Sequence, residues 1–333
     1  MATARVEGAG VNSAVEKSLG ECERAVLAIS GGLDSMVLLS AAAKLPMSVR
    51  SEITVATFDH GTGRAAGRAA ALVARHAFRF GFLCVSGRAA TVGKREEEWR
   101  RARWQFLEQV AAKRDAQVVT AHTLDDQVET VFMRILRDAG PRGLAGLYAE
   151  SRIVRPFLNL SRATLAAYAR QHRVSFIEDP SNMDRRHQRN RIRHDILPSI
   201  MKQNPGFPND LLALARKSAE WRRSLEDLLP NIDAAEERDG ALRVSRSSLA
   251  GYDAECLRVL WPALAARARV VMDRRGTHRA AEFTIRGATG GAIQLSGGVE
   301  IVMRRDDMLL RRSSARGQVP SGKIQSTQTE TRA

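Results

Sequence analysis

Four short apolar runs alternate with helical patterns in the first half of the chain, at residues 25–29, 53–58, 82–86 and 117–121. Helical periodicity fills the intervals, at residues 35–44, 65–80, 96–113 and 125–137. This alternation predicts parallel strands joined by right-handed helical crossovers, because a parallel pair needs a long connection. We therefore expect a doubly wound α/β fold with a mainly parallel sheet, which binds ligands beyond the carboxyl ends of its strands.

The length of 333 residues predicts two domains rather than one. We expect a flexible N-terminal segment over residues 1–22 and a catalytic domain over residues 23–160. The pattern then becomes helical and basic, which predicts an extension of the catalytic domain over residues 161–230. A small α+β C-terminal domain over residues 231–312 and a disordered tail over residues 313–333 complete the expected organisation.

The chain is strongly basic, with 52 Lys and Arg against 37 Asp and Glu and a net charge of +15. Only seven of these cations are lysines, so arginine dominates. Guanidinium groups bind phosphate through two parallel hydrogen bonds, which makes nucleic acid a candidate partner. The alternative is a GC-rich coding sequence that enriches arginine on any solvated surface, and charge alone does not decide between the two.

The compartment is indicated by what the sequence lacks. No apolar run approaches the ~20 residues that a bilayer span needs, and the N-terminus shows no secretory signal. Three isolated cysteines, Cys22, Cys84 and Cys256, are typical of a reducing environment and argue against a zinc or disulfide framework. We therefore expect a cytoplasmic protein that is not embedded in a membrane.

The segment Ser30-Gly31-Gly32-Leu33-Asp34-Ser35 directly follows the first predicted strand and opens the first helix. Its glycines allow a positive φ and bring successive N–H groups around an anion, to which the helix N-terminus adds further donors. Ser30 and Ser35 supply hydroxyls, and Asp34 can hold Mg²⁺ or orient a nucleotide. No Lys follows the glycines, which excludes the P-loop of γ-phosphate transferases. The alternative is a purely structural turn with a Ser N-cap.

Acidic residues gather after the fourth predicted strand, which ends at His122. Asp125, Asp126 and Glu129 lie in the first turns of the next helix, with Asp125 and Glu129 at i and i+4. Such a group can bind Mg²⁺, attract an ammonium group or act as a general base. Alternatively, the acids only favour the positive end of the helix dipole.

Similar choices apply to three other polar segments. Strand two ends in Asp59-His60, which can meet ribose, adenine or a metal or can form an Asx-type turn. Arg100 and Arg103 share a helix face and either grip phosphate or pair with surface acids. Five arginines fall between residues 185 and 193 with no acid among them, which favours a phosphate backbone over a merely solvated helix face.

Together these segments resemble the tRNA(Ile)-lysidine synthetase family of PP-loop ATP pyrophosphatases. The resemblance rests on S-G-G-L-D-S at 30–35, D-H-G at 59–61, A-H-T-L-D-D-Q-V-E-T at 121–130, R-P-F-L-N-L-S-R at 155–162, E-D-P-S-N at 178–182 and R-N-R-I-R-H-D-I-L-P at 189–198. It covers residues 24–205, and the small C-terminal unit matches only weakly. One departure is Thr62-Gly63-Arg64 after D-H-G, where the family commonly has Leu-Arg.

The resemblance implies a ligase that forms a carbon–nitrogen bond. Such an enzyme uses ATP and Mg²⁺ to adenylate O2 of the wobble cytidine in isoleucine tRNA with a CAU anticodon, releasing pyrophosphate. The side-chain amine of free L-lysine then displaces AMP from C2. The product, lysidine, switches decoding to AUA and charging to isoleucine.

The resemblance also assigns roles by position. The residues expected to bind ATP are Ser30, Gly31, Gly32, Leu33, Asp34, Ser35 and His60. The expected catalytic residues, which would face the metal or the lysine ammonium, are Asp34, Asp125, Asp126 and Glu129, with Asp34 also the expected Mg²⁺ ligand. The residues expected to bind tRNA are Arg100, Arg103, Arg189, Asn190 and Arg193. The C-terminal domain would bind tRNA as well, and a homodimer is a candidate assembly.

Two alternatives stay open at this point. One is another PP-loop tRNA-modifying enzyme such as a tRNA thiolase, which would need a nucleophilic cysteine or an iron–sulfur cluster. The other is a non-catalytic RNA-binding protein that retains the nucleotide fold.

Overall fold

The computed structural model describes residues 2–61, 63–89, 96–179, 183–313 and 329–331. Outside this part of the chain lie Thr62, residues 180–182 of the E-D-P-S-N motif, and most of the expected tail. The described residues form two compact units. The first unit contains Met1–Glu129 and Glu150–Pro205 together with the C-terminal residues, and the second contains Thr130–Ala149 and Gly206–Ser321.

The first unit is built on a parallel sheet. Its parallel strands are β1 (Ala25–Ala28), β2 (Ile53–Asp59), β3 (Leu83–Arg88), β4 (Gln117–Val119) and β5 (Ile153–Val154). They lie in the order β3-β2-β1-β4-β5, so β1 is central and the chain winds outward in both directions. Strand β1 is wholly apolar and β2 is buried over its first five residues, because helices cover both faces of the sheet. The expected doubly wound α/β fold is confirmed.

Helices flank this sheet on both faces. The helices of the first unit are α1 (Ala2–Gly20), α2 (Leu33–Ala42), α3 (Met47–Arg50), α4 (Arg64–Arg79), α5 (Glu96–Arg114), α6 (Leu124–Leu136, which continues into the second unit), α7 (Arg162–Gln171), α8 (Gln188–Arg191) and α9 (Leu197–Gln203). One hydrophobic core joins α1, α2, α4 and α7 to one face of the sheet, and a second joins α5 to the other face. A π-helical turn, Ile192–Ile196, links α8 to α9.

The N-terminal segment differs from the flexible segment expected for residues 1–22. Residues Ala2–Gly20 form α1, which packs against α2 and α7. Val11, Val15 and Leu19 recur every four residues and are fully buried in the core. This narrow apolar stripe, spaced by small and polar residues, explains the packing of the helix.

The second unit has its own antiparallel sheet and core. Its strands are β6 (Ala234–Glu236), β7 (Leu242–Ser245), β8 (Ala292–Leu295), β9 (Val299–Met303) and β10 (Asp307–Arg312), and its helices are α10 (Phe207–Leu228), α11 (Arg246–Leu249), α12 (Ala254–Arg267) and α13 (Arg274–Arg286). The strands lie in the order β6-β7-β10-β9-β8. The fully buried Trp261 of α12 anchors this core and donates its indole N–H to Thr284 Oγ1 at 2.8 Å. The expected small α+β unit is therefore present.

A short last strand, β11 (Thr329–Thr331), pairs antiparallel with β3. It lies within residues 313–333, where disorder was expected, and so differs from that expectation at these three positions. Among the described residues, no helix is both long and apolar enough to cross a bilayer.

Candidate functional site

The loop Ser30–Ser35 connects β1 to α2 at the carboxyl edge of the parallel sheet. Gly31 has φ +87°, and a Cβ added there would lie 2.8 Å from the Ala69 Cβ on α4. Both constraints require glycine at this position. The Ser35 hydroxyl donates to the Gly32 carbonyl at 2.9 Å and accepts from the Ser30 N–H at 3.2 Å. The loop is thus held open around the first turn of α2, whose N–H groups suit an anion such as a phosphate.

Asp34 occupies that first turn and is mostly buried. Its Oδ2 accepts a hydrogen bond from Arg162 Nε at 3.3 Å, whereas its Oδ1 is buried and has no hydrogen-bond partner among the described residues. Burial raises the pKa of this carboxyl, and Arg162 only partly offsets the effect. An unpartnered buried carboxylate oxygen beside an anion-binding loop fits a cation that would also meet phosphate oxygens.

The fit to Mg²⁺ is limited to one protein carboxylate. Among the described residues, no group of three or more His, Cys, Asp or Glu side chains has the arrangement of a metal site. Mg²⁺ usually takes one or two carboxylates together with substrate phosphates and water. Asp34 beside the loop matches that pattern without further protein ligands.

The acids of α6 do not form an open acidic pocket. Asp126 and Glu129 are 6% and 2% exposed, and arginines from two other segments surround them. Asp126 Oδ1 accepts from Arg162, Arg189 and Arg193 at 3.1, 2.9 and 3.3 Å. Glu129 accepts from Arg189 Nε at 2.7 Å and from Arg193 Nε at 2.6 Å. We refer to Asp34, Asp126, Glu129, Arg162, Arg189 and Arg193 as the ion-pair network.

The network has equal numbers of acids and cations. Burial by itself would raise the pKa of Asp126, but Arg189, Arg162 and the Thr123 N–H outweigh it and lower that pKa below its usual range. Asp126 is also fixed at the start of α6, where its Oδ2 accepts from the Thr123 N–H at 2.9 Å and from the Thr123 hydroxyl at 3.0 Å. Helix capping and ion pairing therefore hold the same carboxylate.

Two of the predicted residues make other contacts. Asp125 Oδ2 accepts from the backbone N–H of Arg162 at 2.7 Å, which ties α6 to the start of α7. Asn190 is buried, and its side-chain amide donates to the Asp184 carbonyl at 2.9 Å, inside the turn before α8. Thus the acids that share the ion-pair network are Asp126 and Glu129, at i and i+3. The pair at i and i+4, Asp125 and Glu129, does not act together, because Asp125 binds a backbone N–H instead.

His60 directly follows β2 and lies among aromatic rings. Its ring centroid lies 5.1 Å from Phe58 and 6.5 Å from Trp99, and its Nδ1 is buried with no hydrogen-bond partner in the described part of the chain. Burial and the charge of Arg103 lower the pKa of His60, so the ring is neutral at pH 7. The neighbouring Asp59 accepts from the Gly61 N–H at 2.8 Å, which is the Asx-type turn left open above. Arg100 is exposed on α5.

His122 lies three residues beyond β4, beside the ion-pair network. Its Nδ1 is 2.7 Å from Thr120 Oγ1, and the two share a hydrogen bond. Burial lowers the pKa of this imidazole to about 4, with Arg155, Arg189 and Arg103 acting in the same direction and Asp126 opposing them. His122 therefore contributes a neutral, fixed ring to the carboxyl edge of the sheet.

Arg162 is the functional candidate to which sequence reasoning assigned no role. It begins α7 directly after the Ser161 N-cap, on the connection that follows β5. It is the residue that contacts both Asp34 of the loop and Asp126 of α6. A usable signal was present, because an arginine at the start of a helix after a parallel strand lies at the ligand-binding edge of the sheet.

A family profile described as "PP-loop domain" matches residues 10–200. The tRNA(Ile)-lysidine synthase of Pectobacterium atrosepticum is 37% identical over 233 residues, covering 67% of this chain and 52% of that protein. The enzyme of the same name from Methylobacterium sp. is 37% identical and covers 74% of this chain and 75% of its own length. That of Pseudomonas aeruginosa is 38% identical over 64% of this chain and 49% of its own. The chain thus spans about half the length of several relatives and three quarters of another.

The ion-pair network should be sensitive to the loss of one cation. Arg189→Met leaves the buried Glu129 short of a partner, and we expect the free energy of unfolding to fall by ~2 kcal/mol. This is less than the ~3–5 kcal/mol of a buried pair broken outright, because Arg193 still contacts Glu129. Adding Glu129→Gln should restore part of the loss, since an amide needs no cation. Urea unfolding of the single and double variants measures both effects.

Arg191→Met is the matched control for that series, because Arg191 is exposed on the same short helix. It should leave the free energy of unfolding within ~0.5 kcal/mol of the wild type. Equal losses for Arg189→Met and Arg191→Met would contradict a stabilising role of the network.

The buried His122 predicts a pH dependence of stability. Its pKa is about 4 in the folded chain and about 6.5 when unfolded, so the unfolded chain binds the proton first. The contribution is complete above pH ~6.5 and is lost as the pH falls towards ~4. His122→Asn removes the titration, so the free energy of unfolding should fall less between pH 7.5 and pH 5 than in the wild type. The same fall in both proteins would place the titration elsewhere.

Proposed function

Because the chain belongs to the tRNA(Ile)-lysidine synthase family of PP-loop proteins, we propose that it ligates free lysine to the wobble cytidine of isoleucine tRNA with a CAU anticodon. In the first half-reaction, cytidine O2 attacks the α-phosphorus of ATP and pyrophosphate leaves. In the second, the lysine side-chain amine attacks C2, the C2–O2 bond breaks, and AMP leaves with that oxygen. The product is lysidine.

One observation carries this proposal: the anion-binding loop and the ion-pair network meet at Asp34 and Arg162. The reaction needs cationic groups for a departing pyrophosphate and anionic groups for an incoming ammonium. The network holds both kinds, paired to each other. Arginines drawn to phosphate would release Asp126 and Glu129 to attract the lysine ammonium and to take up its proton.

The residues of the loop fit the pyrophosphate end of ATP. The N–H groups at the start of α2 and the hydroxyl of Ser30 supply hydrogen bonds without a side chain at Gly31, and the Ser35 hydroxyl holds the loop through the Gly32 carbonyl. Asp34 would hold Mg²⁺ through Oδ1, and the ion when bound would neutralise charge on the phosphates. His60, neutral and set among aromatic rings, is suited to pack beside the nucleoside.

The thiolase alternative is less well supported by the cysteines. Cys84 is buried within β3, and burial raises the pKa of its thiol, which disfavours the thiolate that sulfur transfer needs. Cys22 precedes β1 at the amino edge of the sheet, and Cys256 belongs to the second unit.

Incorporation of radiolabelled lysine tests the proposal directly. The substrate is an in vitro transcribed isoleucine tRNA with a CAU anticodon, supplied with ATP, and the control transcript carries U in place of the wobble C. We expect label only in the first transcript. Label in neither, with RNA-stimulated release of pyrophosphate still present, would retain the adenylating chemistry and require another nucleophile.

Asp34→Asn separates chemistry from RNA binding. The neutral amide holds a cation far more weakly than a carboxylate, so we expect AMP formation to fall by at least ~100-fold while tRNA affinity stays within about twofold of the wild type. Asp115→Asn is the matched control, because the Asp115 side chain is 96% exposed at the opposite edge of the sheet. Loss of tRNA binding in Asp34→Asn would instead indicate a structural role for Asp34.

A further inference from the structure

Helix α4 carries an arginine face that the proposed chemistry does not use. The helix contains no acidic residue, and its four arginines, Arg64, Arg68, Arg75 and Arg79, are all exposed. At 3.6 residues per turn they fall within a sector of about 60° on one side of the helix. Among the described residues, none of the four makes an ion pair or a side-chain hydrogen bond. We refer to these four side chains as the α4 arginine face.

The buried residues of α4 fix this face in place. Leu72, Val73 and Ala77 are buried against the sheet, so rotation of the helix would expose apolar surface. The helix begins after β2 and touches the anion-binding loop, since a Cβ at Gly31 would collide with Ala69. At 1.5 Å per residue, the face extends for about 22 Å from this edge along the helix.

No acidic side chain in the described part of the chain neutralises the charge on this face. Burial lowers the pKa of His76, and the charges of Arg79 and Arg75 lower it further. This direction is consistent with a positive potential around the helix. Four like charges along one face repel each other unless an anion compensates them. By contrast, Arg189 of α8 and Arg193 of the π-helical turn form ion pairs with carboxylates of α6.

We propose that the α4 arginine face binds the sugar–phosphate backbone of the RNA strand that leads away from the reacting nucleotide. The proposal rests on the proposed function, because the RNA is the substrate delivered to the carboxyl edge of the sheet. Charges recurring along one line match a polyanion with regularly spaced phosphates. Guanidinium groups suit this role because each can bind a phosphate through two hydrogen bonds. Such contacts position the RNA and carry no base specificity.

The test compares charge removal on this face with charge removal elsewhere in the same unit. The variants are Arg64→Gln with Arg68→Gln, Arg75→Gln with Arg79→Gln, and all four together. The matched control is Arg152→Gln with Arg170→Gln, because both residues are exposed and, among the described residues, neither is in an ion pair. Glutamine preserves helix propensity, and circular dichroism confirms folding.

Binding of an anticodon stem–loop RNA is measured by fluorescence anisotropy between 50 and 200 mM salt. The slope of log K against log[salt] is negative, and each double variant should make it less negative by up to ~1.8. The quadruple variant should change the slope by up to ~3.6 and bind at least tenfold more weakly at 50 mM salt. The control should keep the wild-type slope. An unchanged slope in the quadruple variant, or an equal change in the control, would overturn the proposal.

The same experiment is independent of the reaction chemistry. If the quadruple variant binds RNA like the wild type and the wild type still makes lysidine, the α4 proposal fails and the proposed function stands. If the wild type makes no lysidine but the variant loses RNA affinity and salt dependence, the function fails and the RNA-binding face stands.

Discussion

The pairing of two buried carboxylates on α6 with three arginines organises the carboxyl edge of the sheet in the first unit. Asp126 and Glu129 are almost inaccessible to water, and a buried carboxylate is costly unless a cation and hydrogen bonds compensate it. The compensating arginines come from the start of α7 and from the segment Gln188–Ile196. Ion pairs to the buried carboxylates of α6 therefore hold together segments that are far apart in the chain.

The same pairing gives the proposed reaction a means of exchanging partners. A resting site in which acids and arginines neutralise each other is stable without ligands. An anionic pyrophosphate competes with the carboxylates for the arginines, and a lysine ammonium competes with the arginines for the carboxylates. Breaking the ion pairs costs free energy, and either ligand alone would have to offset that cost. Two ligands bound together share it, which favours their joint binding. Arg162 is the natural link between the two events because it contacts Asp34 and Asp126 at once.

The sequence predicts the features that depend on local pattern. Short apolar runs mark β1 to β4 within one or two residues because strands buried on both faces need uninterrupted apolar residues. The loop Ser30–Ser35 is recognisable because its glycine positions reflect a backbone requirement. The sequence does not predict α1, because its buried stripe of Val11, Val15 and Leu19 is narrow and lies in an otherwise small and polar segment. The partners of Asp126 and Glu129 were also beyond prediction, because ion pairs between residues more than thirty positions apart leave no spacing signal.

The arginines of this chain have at least two different roles in the structure. Arg162, Arg189 and Arg193 contact carboxylates that the fold has buried, so they contribute first to the architecture of the site. Those of α4 lie along a solvated face that no acid of the described chain neutralises. A codon bias would scatter arginine over the surface without regard to the acids nearby. A helix with four arginines on one side and no acid anywhere, beginning beside the anion-binding loop, is better explained by an anionic partner of matching length.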